Sequence, residues 1–271
     1  MLNNQNKKLI RRYVFAMINM YGIIPLRHAY HIFAHQNPLL EVSEDDFWEF
    51  TSYDQGNQAY NVAAESDILN KEVDEDQDEE FYLYGDWVLM DLPQDFDRIR
   101  LYQKDRVYYV PEPEEFLRRE NEWYYERTNG TENYRKFLKK IKPDISPDML
   151  ESGFFETLAG FHSLSFGETE PQIMRSIVRS LNHLSFNISQ DNKKELSKLL
   201  KEMLLETRQE ALRGMMYKDF ESPTALEIVK KEGLSDNVID MIHTGEIDAI
   251  EIANDIDDDE LKNRLIELYK E

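Results

Sequence analysis

Cysteine is absent from all 271 residues. That single absence removes disulfide bridges, thiol nucleophiles, iron–sulfur clusters and the usual cysteine-built zinc sites together. Long apolar runs are missing as well. No window approaches the roughly 20 residues that cross a bilayer, and the N-terminal stretch is broken by Arg11, Arg12 and Asn19, unlike a secretory signal. A cytoplasmic protein with no membrane association is therefore expected. Cationic charge is scarce: 32 Lys and Arg stand against 54 Asp and Glu, a formal net charge of −22. A field of that sign opposes nonspecific attraction to nucleic acid or anionic lipid, although a local basic patch still acts within a screening length. Walker, Rossmann and Gly-x-Ser-x-Gly patterns and the His-Glu-x-x-His helix are also absent, so no cofactor is expected and catalysis has no positive signature.

What is present describes a folded chain. Hydrophobic residues make up 41% and aromatics 12%, with 32% charged, a balance that fills a core and leaves a heavily charged surface. The length suggests more than one compact unit.

Apolar positions Leu9, Ile10, Tyr13, Val14, Met17, Ile18 and Met20 recur at helical spacing and Gly22 stops them, predicting a first helix over 7–21. Pro25 opens a second helix through His35 or Gln36. Ser43 caps a third, with Glu44, Asp45 and Asp46 in its first turn and Phe47, Trp48 and Phe50 as buried anchors. Residues 59–64 and 80–91 carry the β-branched and aromatic residues of a strand pair. Three helices followed by a strand pair is the order of a winged-helix unit. A further short strand is expected over 106–110.

Four segments follow: a winged-helix-like α+β domain over 1–110, connector helices over 111–145, a helical domain over 146–220 and a small helical cap over 221–271. The second half holds clear periodic helices at 171–184 and 190–215, expected as an antiparallel pair, and a helix from Ser146-Pro147 that Gly153 interrupts or shortens. The fold class expected is mainly α with a small β component, a winged-helix-like N-terminal unit joined to a C-terminal helical bundle.

Candidate sites are few. His28, His31 and His35 fall on one face of the second helix, opposite Tyr30 and Phe33, which reads as an exposed partner face. His31 and His35 have metal-binding i, i+4 spacing, but no third ligand and no general-base Glu accompany them, so no metal is assigned; a metal-dependent hydrolase built on this cluster stays as one alternative. The run from Glu72 to Glu80 holds Asp74, Asp76, Asp78 and Glu79 and reads as a solvated loop at the wing; with Glu44, Asp45 and Glu49 of the third helix these carboxylates join the histidines as the candidate partner-binding residues. Both this run and Asp255–Glu260 lack the Gly and Glu positions of an EF-hand, and the latter reads as a cap for the last helix. Lys7, Lys8, Arg11 and Arg12 form the concentrated basic patch of the N-terminal half, suited to phosphate contact. The third helix, however, carries Glu44, Asp45 and Glu49 and no Lys or Arg, opposing a DNA-reading role.

Thr207-Arg208, Arg213-Gly214, Ser222-Pro223 and the earlier Tyr21-Gly22-Ile23-Ile24-Pro25-Leu26 together resemble the helical region of uncharacterised bacterial and phage proteins associated with SEC-C zinc motifs. Glu210 stands where that family has Trp, Met215-Met216 replaces His-Thr, and the zinc-binding cysteines are missing, so no zinc role carries over. The resemblance implies an accessory or mobile-element protein with a winged-helix-like front and a helical back. In purely structural terms Arg208 and Gly214 would close the long helix, as a basic residue near the last carbonyls and a left-handed cap. The function expected is a noncatalytic, acidic interaction or regulatory factor whose partner is a protein, one with a basic surface if the acidity imitates nucleic acid. A winged-helix nucleic-acid-binding regulator is the alternative.

Overall fold

The computed structural model describes residues 2–57, 59–72, 79–88, 93–162 and 170–270. It divides into two compact units, one of residues 1–124, 210–215 and 221–271, the other of residues 125–209 and 216–220. Among the described residues no helix is long and apolar enough to cross a membrane.

The first unit begins with α1 (Asn4–Tyr21), whose N-cap Asn3 accepts a side-chain hydrogen bond from the Asn6 amide at 2.8 Å, satisfying one of the free N–H groups of a helix start. Gly22 ends it at φ 70°, where a Cβ would lie 3.1 Å from Glu210 and 3.3 Å from Val88; backbone conformation and space both call for glycine. The chain then enters β1 (Ile23–Pro25), α2 (Leu26–Gln36), α3 (Glu44–Asp54), β2 (Tyr60–Ala64), the short α4 (Glu65–Leu69) and β3 (Phe81–Gly85). The strands form an antiparallel sheet in the order β1-β3-β2, with Leu83 opposite both Ile24 and Val62. Helix, strand, two helices, then two strands separated by the short α4, with the last strand central, follows the winged-helix-like order. The protein is mainly α with a small antiparallel β component.

The core of this module forms where the apolar stripes of α1, α2 and α3 meet the sheet. Tyr13 is fully buried between Phe33, edge-on at 5.3 Å, and Phe116, stacked at 5.4 Å, a geometry that adds to the area term for aromatic burial. Phe116 belongs to α6 (Pro113–Phe116), which follows α5 (Gln94–Gln103). Residues 111–124 are thus part of the first unit and not a connector: the turn at 117–120 packs on α1, and Asn19 donates to the Arg119 carbonyl at 2.7 Å. The strand expected at 106–110 does not form, because its amides bond elsewhere: Tyr108 donates to the Glu246 carbonyl and Tyr109 to that of Arg213.

The second unit contains α7 (Asn129–Ile141), α8 (Pro147–His162), α9 (Glu170–His183) and α10 (Gln190–Leu205). It starts near 125, so α7 joins the bundle instead of linking to it. The main packing partners are α7 with α10 and α8 with α9, in place of the expected pairing of α9 with α10. Gly153 does not break its helix; it makes room for the Phe186 ring, 2.6 Å from where a Cβ would stand. The helix expected over 190–215 ends at Leu205, where the Thr207 hydroxyl back-bonds to the Met203 carbonyl at 2.7 Å.

Residues 221–271 form α11 (Ala225–Glu232), α12 (Asp236–His243), α13 (Ala249–Asn254) and α14 (Asp259–Lys270). Side-chain caps at Thr224, Ser235 and Asp248 start the first three. Val229, Val238, Ile242, Ile252, Leu265 and Leu268 make an apolar cluster of their own. This cap belongs with the N-terminal module in one compact unit.

Candidate interaction surface and buried charge cluster

α3 is held by one face and exposed on the other. Phe47, Phe50 and Thr51 are buried, and Ser43 caps the helix by accepting from the Asp46 amide at 3.1 Å. Glu44, Asp45 and Asp46 lie in the first turn, where the helix dipole favours carboxylates. The opposite face exposes Asp45, Trp48, Glu49 and Tyr53, the last 83% exposed. Trp48 is 39% exposed, and not the buried anchor its spacing suggested, because its ring leans on Phe81 at 4.6 Å while one side stays open.

The basic patch at the start of α1 is half consumed by the fold. Arg11 forks onto Asp54, Nε to Oδ2 at 2.8 Å and Nη2 to Oδ1 at 2.6 Å, and Tyr60 donates to the same carboxylate at 3.1 Å. Those hydrogen bonds hold the Asp54 carboxyl below its ordinary value. Arg12 forks onto Glu120 at 2.6 and 3.1 Å. Bidentate pairs of this kind fix both partners. Lys7 and Lys8 form no ion pair among the described residues.

The histidine face is not the exposed surface that helical spacing predicts. His28 is fully buried, with Nε2 3.0 Å from the Gly245 carbonyl, and half-buried His31 reaches the Ile242 carbonyl at 2.7 Å. Only His35 is exposed. The cause is a second layer on α2, supplied by residues more than 200 positions later in the chain. No group of three or more metal-binding side chains occurs among the described residues.

Around these histidines lies a charge cluster that local pattern did not reveal. Arg27 pairs with Asp248 at 2.7 Å and with Glu80 at 2.9 Å; Arg213 pairs with Glu251, which Arg100 also approaches at 3.3 Å. Three guanidinium groups thus face three carboxylates. Arg213 is fully buried at φ 53°, its guanidinium 4.2 Å from the Tyr108 ring centre and its Nη1 donating to the Arg106 carbonyl at 2.6 Å. Tyr108 in turn meets His28 at 4.5 Å, His28 stacks with His31 at 6.1 Å and His31 with Tyr269 at 5.3 Å. Burial pushes the His28 imidazole down to about 3. Burial alone would push the Asp248 carboxyl up, but the charge and hydrogen bond of Arg27 outweigh it and hold the carboxyl below its usual range. A buried pair is costly to desolvate and still more costly to break, so the cluster constrains how the cap docks more than it adds net stability.

Arg208 and Gly214 therefore do not close the long helix, which ends at Leu205. Gly214, at φ 75°, brings the chain against Met20 and Tyr21, and Arg213 anchors that corner to α13. Arg208 pairs with Glu126 within the second unit. In the acidic run, Asp74, Asp76 and Asp78 lie outside the described residues. Glu79 accepts from the Ser66 hydroxyl and Glu80 pairs with Arg27, so this end of the run is structural and not solvated. Asp258 accepts from the amides of Glu260 and Leu261 at 3.0 and 3.1 Å, capping α14 as expected.

The arrangement offers a surface and a lock, and among the described residues no group of three or more His, Cys, Asp or Glu is placed to hold a metal ion. No family model matches the chain, and no curated protein and no solved structure matches it.

Proposed function

We propose that this chain is a noncatalytic interaction factor whose α3 face docks a protein with a basic surface. The observation that carries the reading is the pairing of two facts. The helix that would enter a DNA groove exposes Asp45, Trp48, Glu49 and Tyr53 and has no Lys or Arg, while Arg11 and Arg12 of the basic patch at the start of α1 are bound to Asp54 and Glu120. Phosphates would meet like charge along α3, at a net molecular charge of −22. A cationic protein surface would meet carboxylates, with Trp48 and Tyr53 as the aromatic anchors that interfaces favour. An accessory or regulatory role follows from binding without chemistry.

The test is affinity capture by the tagged chain from its native lysate, with and without nuclease and at low and high salt. The reading expects a nuclease-resistant protein whose recovery falls with salt. Recovery of nucleic acid that disappears on nuclease treatment supports the winged-helix regulator instead.

A further inference from the structure

We propose that the seam between α2 and the C-terminal helices α11–α14 is a proton-operated latch, in which acidification that charges His28 and His31 undocks residues 225–271 from the winged-helix-like module. The seam is largely polar where the two sides are apolar, its apolar contacts including Val107 on the cap's cluster and Ile32 against Gly245. The cap has its own apolar cluster, from Ala225 to Leu268, and the winged-helix-like module has another around Tyr13, Met17, Phe33 and Phe47. Between them run the Arg27–Asp248, Arg213–Glu251 and Lys104–Asp255 ion pairs and hydrogen bonds from His28, His31, Tyr108 and Tyr269. Two sides that each keep a core when parted can separate below the free energy of global unfolding.

The histidines are the titrating parts. A backbone carbonyl only accepts, so His28 Nε2 carries the hydrogen that Gly245 receives, and the neutral ring turns a lone pair at Nδ1 toward Asp248 Oδ2, 3.8 Å away. Both atoms are buried and neither has a hydrogen-bond partner. Two acceptors face each other there with no proton between them. The groups around His28 are Arg27 and His31 on α2, Asp248 at the start of α13, Arg213 at its corner and Tyr108. Those around His31 are His35, His243 at the end of α12, Asp248 and Tyr269.

A proton added to His28 would be buried among the cations Arg27 and Arg213 beside a carboxylate already engaged by Arg27. Burial and these cations lower the imidazole to about 3, and burial lowers His31 as well. In the undocked state both regain an ordinary value near 6.5. Protons are therefore taken up on opening, and each histidine contributes up to a tenfold rise in the opening equilibrium per pH unit below about 6.5. Three carboxyls of the same region, Asp105, Glu80 and Glu246, are raised chiefly by burial and pull the other way. They stay in place when the histidines are replaced.

The absence of cysteine makes the test direct. Gln5→Cys and Lys231→Cys place a fluorophore pair on exposed positions of α1 and α11, and energy transfer in the full chain is followed from about pH 7.5 to about pH 4.5 together with far-ultraviolet circular dichroism. Wild-type His28 and His31 should give a label separation that grows on acidification while helix content is kept. His28→Gln/His31→Gln, which retains side-chain donors for the two carbonyls, should lose most of that response, and His31→Gln alone should lose part of it. An unchanged separation in the wild-type background, an equal response in the histidine variants, or loss of helix content in step with separation would each overturn the latch.

Discussion

Two charged regions of the first unit use the same residue types in opposite ways. In the cluster at α2 and α13, three arginines face three carboxylates, and Arg213, Asp248 and His28 are fully enclosed. On α3, Asp45 and Glu49 stand in solvent beside Trp48 and Tyr53 with no cation on the helix. The first arrangement pairs its charges within the chain and specifies how it folds. The second is incomplete within the chain, which is why its complement is sought in a partner.

The comparison breaks most severely at Asp248. Asp248→Ala leaves Arg27 short of one of its two carboxylates and removes the cap of α13; a loss of about 3–5 kcal/mol from the first unit is expected by denaturant unfolding. Asp54→Ala, at the C-terminal end of α3, strips the acceptor from Arg11 and Tyr60. Because Arg11 can rehydrate, the expected loss is smaller, about 1–2 kcal/mol. Lowering the pH tests the enclosed histidine. His28 sits at about 3 in the folded chain against 6.5 when exposed, so the unfolded chain binds the proton first. Its contribution is intact above about pH 6.5 and is lost between there and about pH 3, at roughly 1.4 kcal/mol per pH unit; unfolding curves of wild type and His28→Gln should converge on this slope difference. The smallest effect is on α3: Tyr53→Ala and Glu49→Gln should change stability by less than about 0.5 kcal/mol while weakening partner capture severalfold.

The three-helix, two-strand order was legible because each signal is local. Asn3 and Ser43 cap, Gly22 and Pro25 punctuate, and the stripe of α1 buries as its spacing requires, as do Phe47 and Phe50 of α3, though not Trp48. The loss of charge from the basic patch was not legible, since Asp54 and Glu120 lie 43 and 108 positions from Arg11 and Arg12. The histidines misled for the same reason. A helix wheel shows which residues share a face, yet it does not show that a second layer from 242–248 covers what the first layer leaves open. Arg213-Gly214 was conspicuous as a motif, but its meaning depends on Glu251 and Tyr108, which no spacing rule connects to it. The acids of α3 were legible as a surface because exposed charge needs no distant residue to explain it.

The most direct test of the α3 assignment is charge reversal on its open face. Asp45→Lys/Glu49→Lys alters residues that make no core contact, so the variant should keep wild-type circular dichroism and lose no more than about 1–2 kcal/mol, the cost of reversing a charge in the first turn of α3. Affinity capture is then run on nuclease-treated native lysate with both chains, and the recovered proteins are quantified side by side. The account predicts a salt-sensitive protein retained by wild type and lost by the variant. Equal recovery of that protein by the two chains, or retention of no salt-sensitive protein by wild type, would contradict it.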